Sequence, residues 1–235
     1  IRLSLVGSEM CIRDRYQNKF NVALPLAVWL VTDEYKYAKF PNELSTTTLL
    51  RSPRYIIGTR REMYPEQWEE HLRIPVISNP VLEQLPDVQD RIAARIGTAI
   101  HSSVEHAWLT NAKQALTLLN YPQDVTERLL INPKPEDIKP NSITCYMEQR
   151  GYKEIEGFVI SGQFDMILDG NLHDIKTTST YSWTSGCNDE KYRLQGSIYK
   201  WLNPELITGN TLTINFVFTD WNRYSAQNQE GYPPA

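Results

Sequence analysis

Cysteine is scarce in this 235-residue sequence: Cys11, Cys145 and Cys187 are odd in number, far apart and without zinc or iron–sulfur spacing. That argues against a disulfide framework and leads us to expect a reducing, cytoplasmic compartment. Long apolar runs are missing too. The longest near the start, Val22 to Val31, is interrupted by Pro25 and falls well short of the roughly 20 residues that span a bilayer, so a soluble protein with no membrane partner is expected. Positive charge is not in excess: 24 Lys and Arg stand against 28 Asp and Glu, a net charge of −4. Nothing here attracts a polyanion globally, so any such contact must come from a local cluster such as Arg51, Arg54, Arg60 and Arg61. Repeats and low-complexity tracts are absent. What is present is 41% hydrophobic and 11% aromatic residues, enough for the core of one large domain.

Residues 1–15, IRLSLVGSEMCIRDR, begin without methionine and resemble translated sequencing-adapter read-through; we set them aside as an artefact. An authentic amphipathic start is the alternative. We read 16–86 as an N-terminal helical and irregular region and 87–235 as the core domain, which the polar ending GYPPA leaves looking cut short. In the first region Ser45 is a candidate helix N-cap, and Pro53 is expected to break or bend whatever helix follows. The arginines between 51 and 61 form either a basic arm or a solvated helix face. Residues 62–86, with Pro65, Pro75, Pro80 and Pro86, read as a connector.

Asp87 is placed to cap a long amphipathic helix whose stripe Val88, Ile92, Ile96, Ile100 and Val104 faces the core. His101 lies beside that stripe, with Gly97 and Glu105 one turn away on its face. An interior glycine costs about 1 kcal/mol against alanine, so Gly97 predicts a close approach next to His101. A core-edge histidine with a helix-packing glycine is the plainer explanation. Tyr121 to Asn141 reads as a loop with a short helical piece. Strands are expected at Ser142–Gln149, Gly157–Leu168 and Leu172–Thr177, then a polar aromatic loop from Thr178 to Asn188. A helix from Asp189 to Trp201 and a strand over Leu212–Phe218 follow. That order predicts an α/β fold, a mixed sheet flanked by helices.

The most informative stretch is Ile160 to Lys176, ISGQFDMILDGNLHDIK. If Asp169-Gly170 is a two-residue hairpin loop, Leu168 pairs with Asn171 and Asp165 falls opposite Asp174. Opposed side chains have Cβ atoms about 4.5–5.5 Å apart, and like charges there are destabilising unless something positive, most simply a divalent cation, lies between them. Strand alternation returns Lys176 to the face of Asp174.

The GTAIH helix, GQFD, DIK, and Gln195 with Tyr199 in QGSIY, taken in that order, resemble the PD-(D/E)XK nuclease superfamily. Within it they resemble the RecB-like exonuclease branch, as found in T7-like bacteriophages and cyanophages. The resemblance spans Ile96 to Tyr199. It implies a restriction-endonuclease-like core and a DNA exonuclease that hydrolyses phosphodiester bonds during phage end processing, recombination or degradation, in the cytoplasm of an infected bacterial host. It implies that Asp165 and Asp174 are metal-binding carboxylates, joined by His101, and that Lys176 orients or activates the attacking water. Gln195 and Tyr199 become substrate-positioning residues. Glu148 and Glu105 are further acids within reach, and a solvated strand acid is an equal reading for Glu148. Oxygen ligands with one imidazole suit Mg²⁺ or Mn²⁺, and three cysteines are too few for the iron–sulfur cluster of some relatives. DNA is the implied partner, with a recombination or single-strand-binding protein as a further one. Two alternatives stand beside this: a non-catalytic DNA-end-binding module on the same fold, and a scaffold whose hairpin acids are simply solvated.

Overall fold

Local signals account for most element boundaries. The computed structural model describes residues 16–32, 42–63 and 86–234, except the side chains of 61–63. Residues 1–15 with Cys11, and nearly all of the proline-rich 62–86 stretch, lie outside the described residues. Helix α1 (Leu24–Val31) carries Pro25 in its first turn, where a missing N–H removes no helical bond. Strand β1 (Glu43–Ser45) ends at Ser45, whose Oγ accepts from the Thr48 N–H at 3.2 Å and caps α2 (Thr46–Leu49). Pro53 does not break a helix; it opens α3 (Pro53–Met63). Of the basic stretch, Arg51 and Arg54 are exposed, whereas Arg60 is buried against the Glu43 carbonyl, so the stretch is not uniformly outward-facing.

Asp87 caps a short 3₁₀ turn, Val88–Arg91, through a reciprocal box with Asp90, and the turn runs into α4 (Ile92–Leu118). The stripe expected to be core is only partly so: Val88 is buried, Ile96, Ile100 and Val104 are half-buried, and Ile92 is exposed. The helix anchors instead through Trp108, Ala112 and Leu116, one further turn each along the same face. The stretch 121–141, expected as a loop with a helical piece, holds α5 (Gln123–Arg128) and a strand, β2 (Leu129–Ile131).

Strands β3 (Ile143–Met147), β4 (Arg150–Ile155), β5 (Phe158–Gln163), β6 (Met166–Leu168) and β7 (Asn171–Thr178) follow. The 178–188 loop contains a short helix, α6 (Thr180–Thr184), capped by Ser179. Then come α7 (Asp189–Leu202), β8 (Leu212–Phe218) and α8 (Arg223–Asn228).

The fold is α/β, with mixed sheets flanked by helices. One sheet has the order β2-β3-β6-β7-β8, with β2–β3 and β7–β8 parallel and the pairs between antiparallel. The other has the order β1-β5-β4, with β1 parallel to β5. A single long hairpin belongs to both. Its register is unbroken from Cys145↔Leu168 through Arg150↔Gln163 to Ile155↔Phe158. At Glu148–Gln149 and Phe164–Asp165 both strands bend together. The ladder survives the bend through Glu148 N–H to the Asp165 carbonyl at 3.0 Å and Phe164 N–H to the Gln149 carbonyl at 3.1 Å.

Period-two alternation places Cys145, Met147, Met166 and Leu168 against α4, and Tyr146, Ile167 and Leu172 against Tyr199 of α7 and Ile207 in the segment that follows it. Phe164 fills the same cluster as Ile167 although an unbroken strand would aim residues three apart to opposite faces; the bend between them removes that alternation. At Gly162 a Cβ would press on the side chains of Thr46, Tyr199 and Leu202, so glycine is what lets α2 and α7 lie down on β5.

Candidate metal centre

Asp169 and Gly170 both have positive φ, 47° and 75°, the backbone of a type I′ turn. The pairs Leu168↔Asn171, Ile167↔Leu172 and Met166↔His173 follow, the register expected from the two-residue loop. One step on, Asp165 reaches across to β7: its Oδ2 accepts from the Ile175 N–H at 2.6 Å. Asp165 and Asp174 are both buried, at 9% and 3% exposure.

Helix α4 brings His101 to this end of the hairpin. Its Nδ1 lies 3.4 Å from Asp165 Oδ1 and 3.7 Å from Glu148 Oε1. Glu148 holds φ at 50°, unusual for a residue with a Cβ. It sits at the bend opposite Asp165, and Gln163 Nε2 donates to its Oε2 at 2.7 Å. One ligand atom each from His101, Glu148 and Asp165 lie within 4.8 Å of one another. The group thus includes Glu148, which spacing alone had left as a solvated acid or a ligand. Glu105, one turn along α4, is half-buried and outside that group.

Asp174 and Lys176 form the other half. The Lys176 ammonium contacts Asp174 Oδ2 and lies 5.6 Å from the centre of the Tyr192 ring. Asp174 Oδ1 is buried without a hydrogen-bond partner. Burial is the main cause that raises the Asp174 carboxyl to about 6; Lys176 opposes it, and the nearby Asp165 charge adds to it. His101 is pushed up to about 10, first by Asp165 and then by Glu148, against burial that alone would lower it. The imidazolium thus sets a positive charge beside both carboxylates.

Gln195 and Tyr199 lie on one face of α7 as expected, and Gln195 Nε2 donates to Tyr199 Oη at 2.8 Å. Both are buried, and Tyr199 packs with Phe164, the residue before Asp165, so this pair supports the floor beneath the carboxylates. The close approach expected at Gly97 is not made by any described residue: a Cβ there meets nothing within 4 Å. A cavity of about 420 Å³ lies between α7 and β8 and includes Tyr192 and Phe216 in its walls, but none of His101, Glu148, Asp165, Asp174 or Lys176 lines it.

No protein-family model matches this chain, and no curated protein matches it. Among solved structures, the crystal structure of SSO0001 is similar, with a TM-score of 0.46 and 16% identity over 86% of this chain and 75% of that chain. A likeness that slight carries no argument. No helix among the described residues is long and apolar enough to cross a membrane.

Proposed function

We propose that this chain is a metal-dependent deoxyribonuclease, an exonuclease that hydrolyses phosphodiester bonds at DNA ends, with a restriction-endonuclease-like core. The single observation that carries the reading is that an imidazole and two carboxylates from three separated segments converge within 4.8 Å, next to a buried third carboxylate in contact with a lysine. Nothing in core packing asks for such a cluster, since burying like charges together costs stability. A divalent cation fits it. The separations of 3.4 and 3.7 Å from His101 Nδ1 to the two carboxylates exceed by less than about an ångström the roughly 3 Å between neighbouring ligand atoms on a six-coordinate ion, and the unpartnered Asp174 Oδ1 has an oxygen to offer.

His101, Glu148 and Asp165 would hold Mg²⁺ or Mn²⁺, with Asp174 supplying a further oxygen. The ion would lower the pKa of water and offset charge on the phosphate. Residues of the chain do the rest. The Ile175 N–H fixes one Asp165 oxygen and leaves the other toward His101. Lys176, held by Asp174, orients the attacking water or grips a non-bridging phosphate oxygen. His101 must shed its proton to serve as a ligand. Gln195 and Tyr199 hold the floor under Asp165 and position the strand being cut. The phage setting and a recombination or single-strand-binding partner belong to this same reading.

End-labelled linear and circular DNA, incubated with the purified chain and Mg²⁺ or Mn²⁺, provides the test. Linear DNA should be degraded from a terminus, chelation should stop it, and Lys176→Ala should slow it by at least about 100-fold. Equal cleavage by wild type and Lys176→Ala rejects the assignment, and tight binding to DNA ends without any product supports a non-catalytic module instead.

A further inference from the structure

One side chain on β5 links the candidate metal centre to the polar interior of the small sheet. Gln163 donates from Nε2 to Glu148 Oε2 at 2.7 Å and accepts at Oε1 from Arg150 Nη2 at 3.4 Å. An amide has one donating and one accepting end. A guanidinium only donates and an ionised carboxylate only accepts, so with Arg150 on one side and Glu148 on the other just one orientation of the amide satisfies both. Arg150 is itself tied down: its Nη1 donates to Ser161 Oγ at 3.1 Å and lies 4.0 Å from Glu43 Oε1. Ser161 is fully buried and Glu43 nearly so.

The relay therefore starts on β1, crosses β4 and β5, and ends on Glu148 at the bend. There Glu148 would otherwise be poorly held. Its backbone is in the left-handed region, and the residue flanks an interruption in the strands. From the other side Asn132 Oδ1 accepts from the Met147 N–H at 2.8 Å and from Gln149 Nε2 at 3.0 Å, which fixes the backbone of the bend but not the Glu148 carboxylate. Gln163 is the group that fixes Oε2 and leaves Oε1 facing His101.

We propose that Gln163, oriented by Arg150, is a positioning residue that presents the Glu148 carboxylate to the cation of the candidate centre. This rests on the reading that His101, Glu148 and Asp165 hold such an ion. Outer hydrogen-bond partners of metal ligands typically change affinity 10- to 100-fold when removed, because the ligand must then be ordered at the moment of binding.

Mn²⁺ itself is the probe. Its affinity is read from the electron paramagnetic resonance signal of the free ion for wild type, Gln163→Met, Glu148→Gln and the double variant, with far-UV circular dichroism confirming the fold. Gln163→Met is expected to weaken Mn²⁺ binding about 10- to 100-fold, and to cost nothing further once Glu148→Gln is present, since the two act through one carboxylate. Arg150→Met should show the same pattern to a smaller degree. If Gln163→Met does not fold, Gln163→Glu takes its place: it keeps the shape and the Arg150 contact but sets a carboxylate against Glu148, and the same loss is expected. A folded Gln163 variant with wild-type affinity overturns the proposal, as does a loss that adds in full to Glu148→Gln. Wild type that fails to bind Mn²⁺ rejects the cation reading and the proposal together, whereas wild type that binds while the Gln163 variants are unaffected rejects the proposal alone.

Discussion

The same two strands run through both sheets, yet their interiors differ in kind. On the five-stranded side of the bend the buried residues are Cys145, Tyr146, Met147, Met166 and Ile167, all apolar or nearly so. On the three-stranded side Ile160 and Gly162 are buried too, but beside them lies a polar set, Glu43, Arg150, Ser161 and Gln163, buried or half-buried and joined by hydrogen bonds and an ion pair. Apolar contact stabilises without caring much about direction, and buried polar contact does the reverse: it contributes little net free energy but admits one arrangement. Glu148 and Asp165 sit where the two meet. The arrangement sets a stabilising floor on one side of the candidate centre and an orienting frame on the other.

The largest expected effect breaks the floor. Phe164 is fully buried between the sheet and Tyr199, so Phe164→Ala should cost about 3–5 kcal/mol in urea denaturation. A cost below about 1 kcal/mol would mean that the apolar half does not carry stability as described.

A second variant separates stability from binding. Glu148→Gln removes one of the two carboxylates that share His101. Mn²⁺ affinity should fall at least about tenfold, while the metal-free protein at neutral pH loses less than about 1 kcal/mol. Parallel loss of both would place Glu148 in the structural half instead.

The last test is a pH dependence. His101 stands at about 10 in the folded chain against 6.5 unfolded, so the native state holds the extra proton. Without metal, the stability this contributes is complete below about pH 6.5 and fades as pH rises through about 10. His101→Gln should flatten that slope when melting temperature is followed across this interval in a chelator, and identical slopes would refute the imidazolium placement. Mn²⁺ displaces the same proton, so its affinity should climb over that interval.

Much of this was open to reading from residues alone. The Asp169-Gly170 turn demands positive φ at both positions, and once it is granted the pairing of β6 with β7 follows without knowledge of the rest of the chain. Capping by Ser45 and Asp87 and the helical spacing of Gln195 and Tyr199 are likewise neighbour effects. Hidden from such reading were the pairing of β1 with β5 far along the chain, the α4 anchor at Trp108 and Ala112 rather than Ile92, and the tilt of Glu148 toward His101. The positive φ of Glu148 has no signature in the letters around it, because nothing but the bend requires it.

What this sequence determined by itself is therefore local: turn type, strand register next to the turn, helix caps, and which face of β7 carries both Asp174 and Lys176. Only the tertiary structure decided which carboxylates share His101, that Asp174 contacts Lys176, and that Arg150 reaches Gln163. The physical reason is reach. Backbone dihedrals and alternation act over a few residues, whereas the meeting of α4, a bent hairpin and β1 depends on how two sheets bury their faces against helices, and no short stretch of chain contains that information.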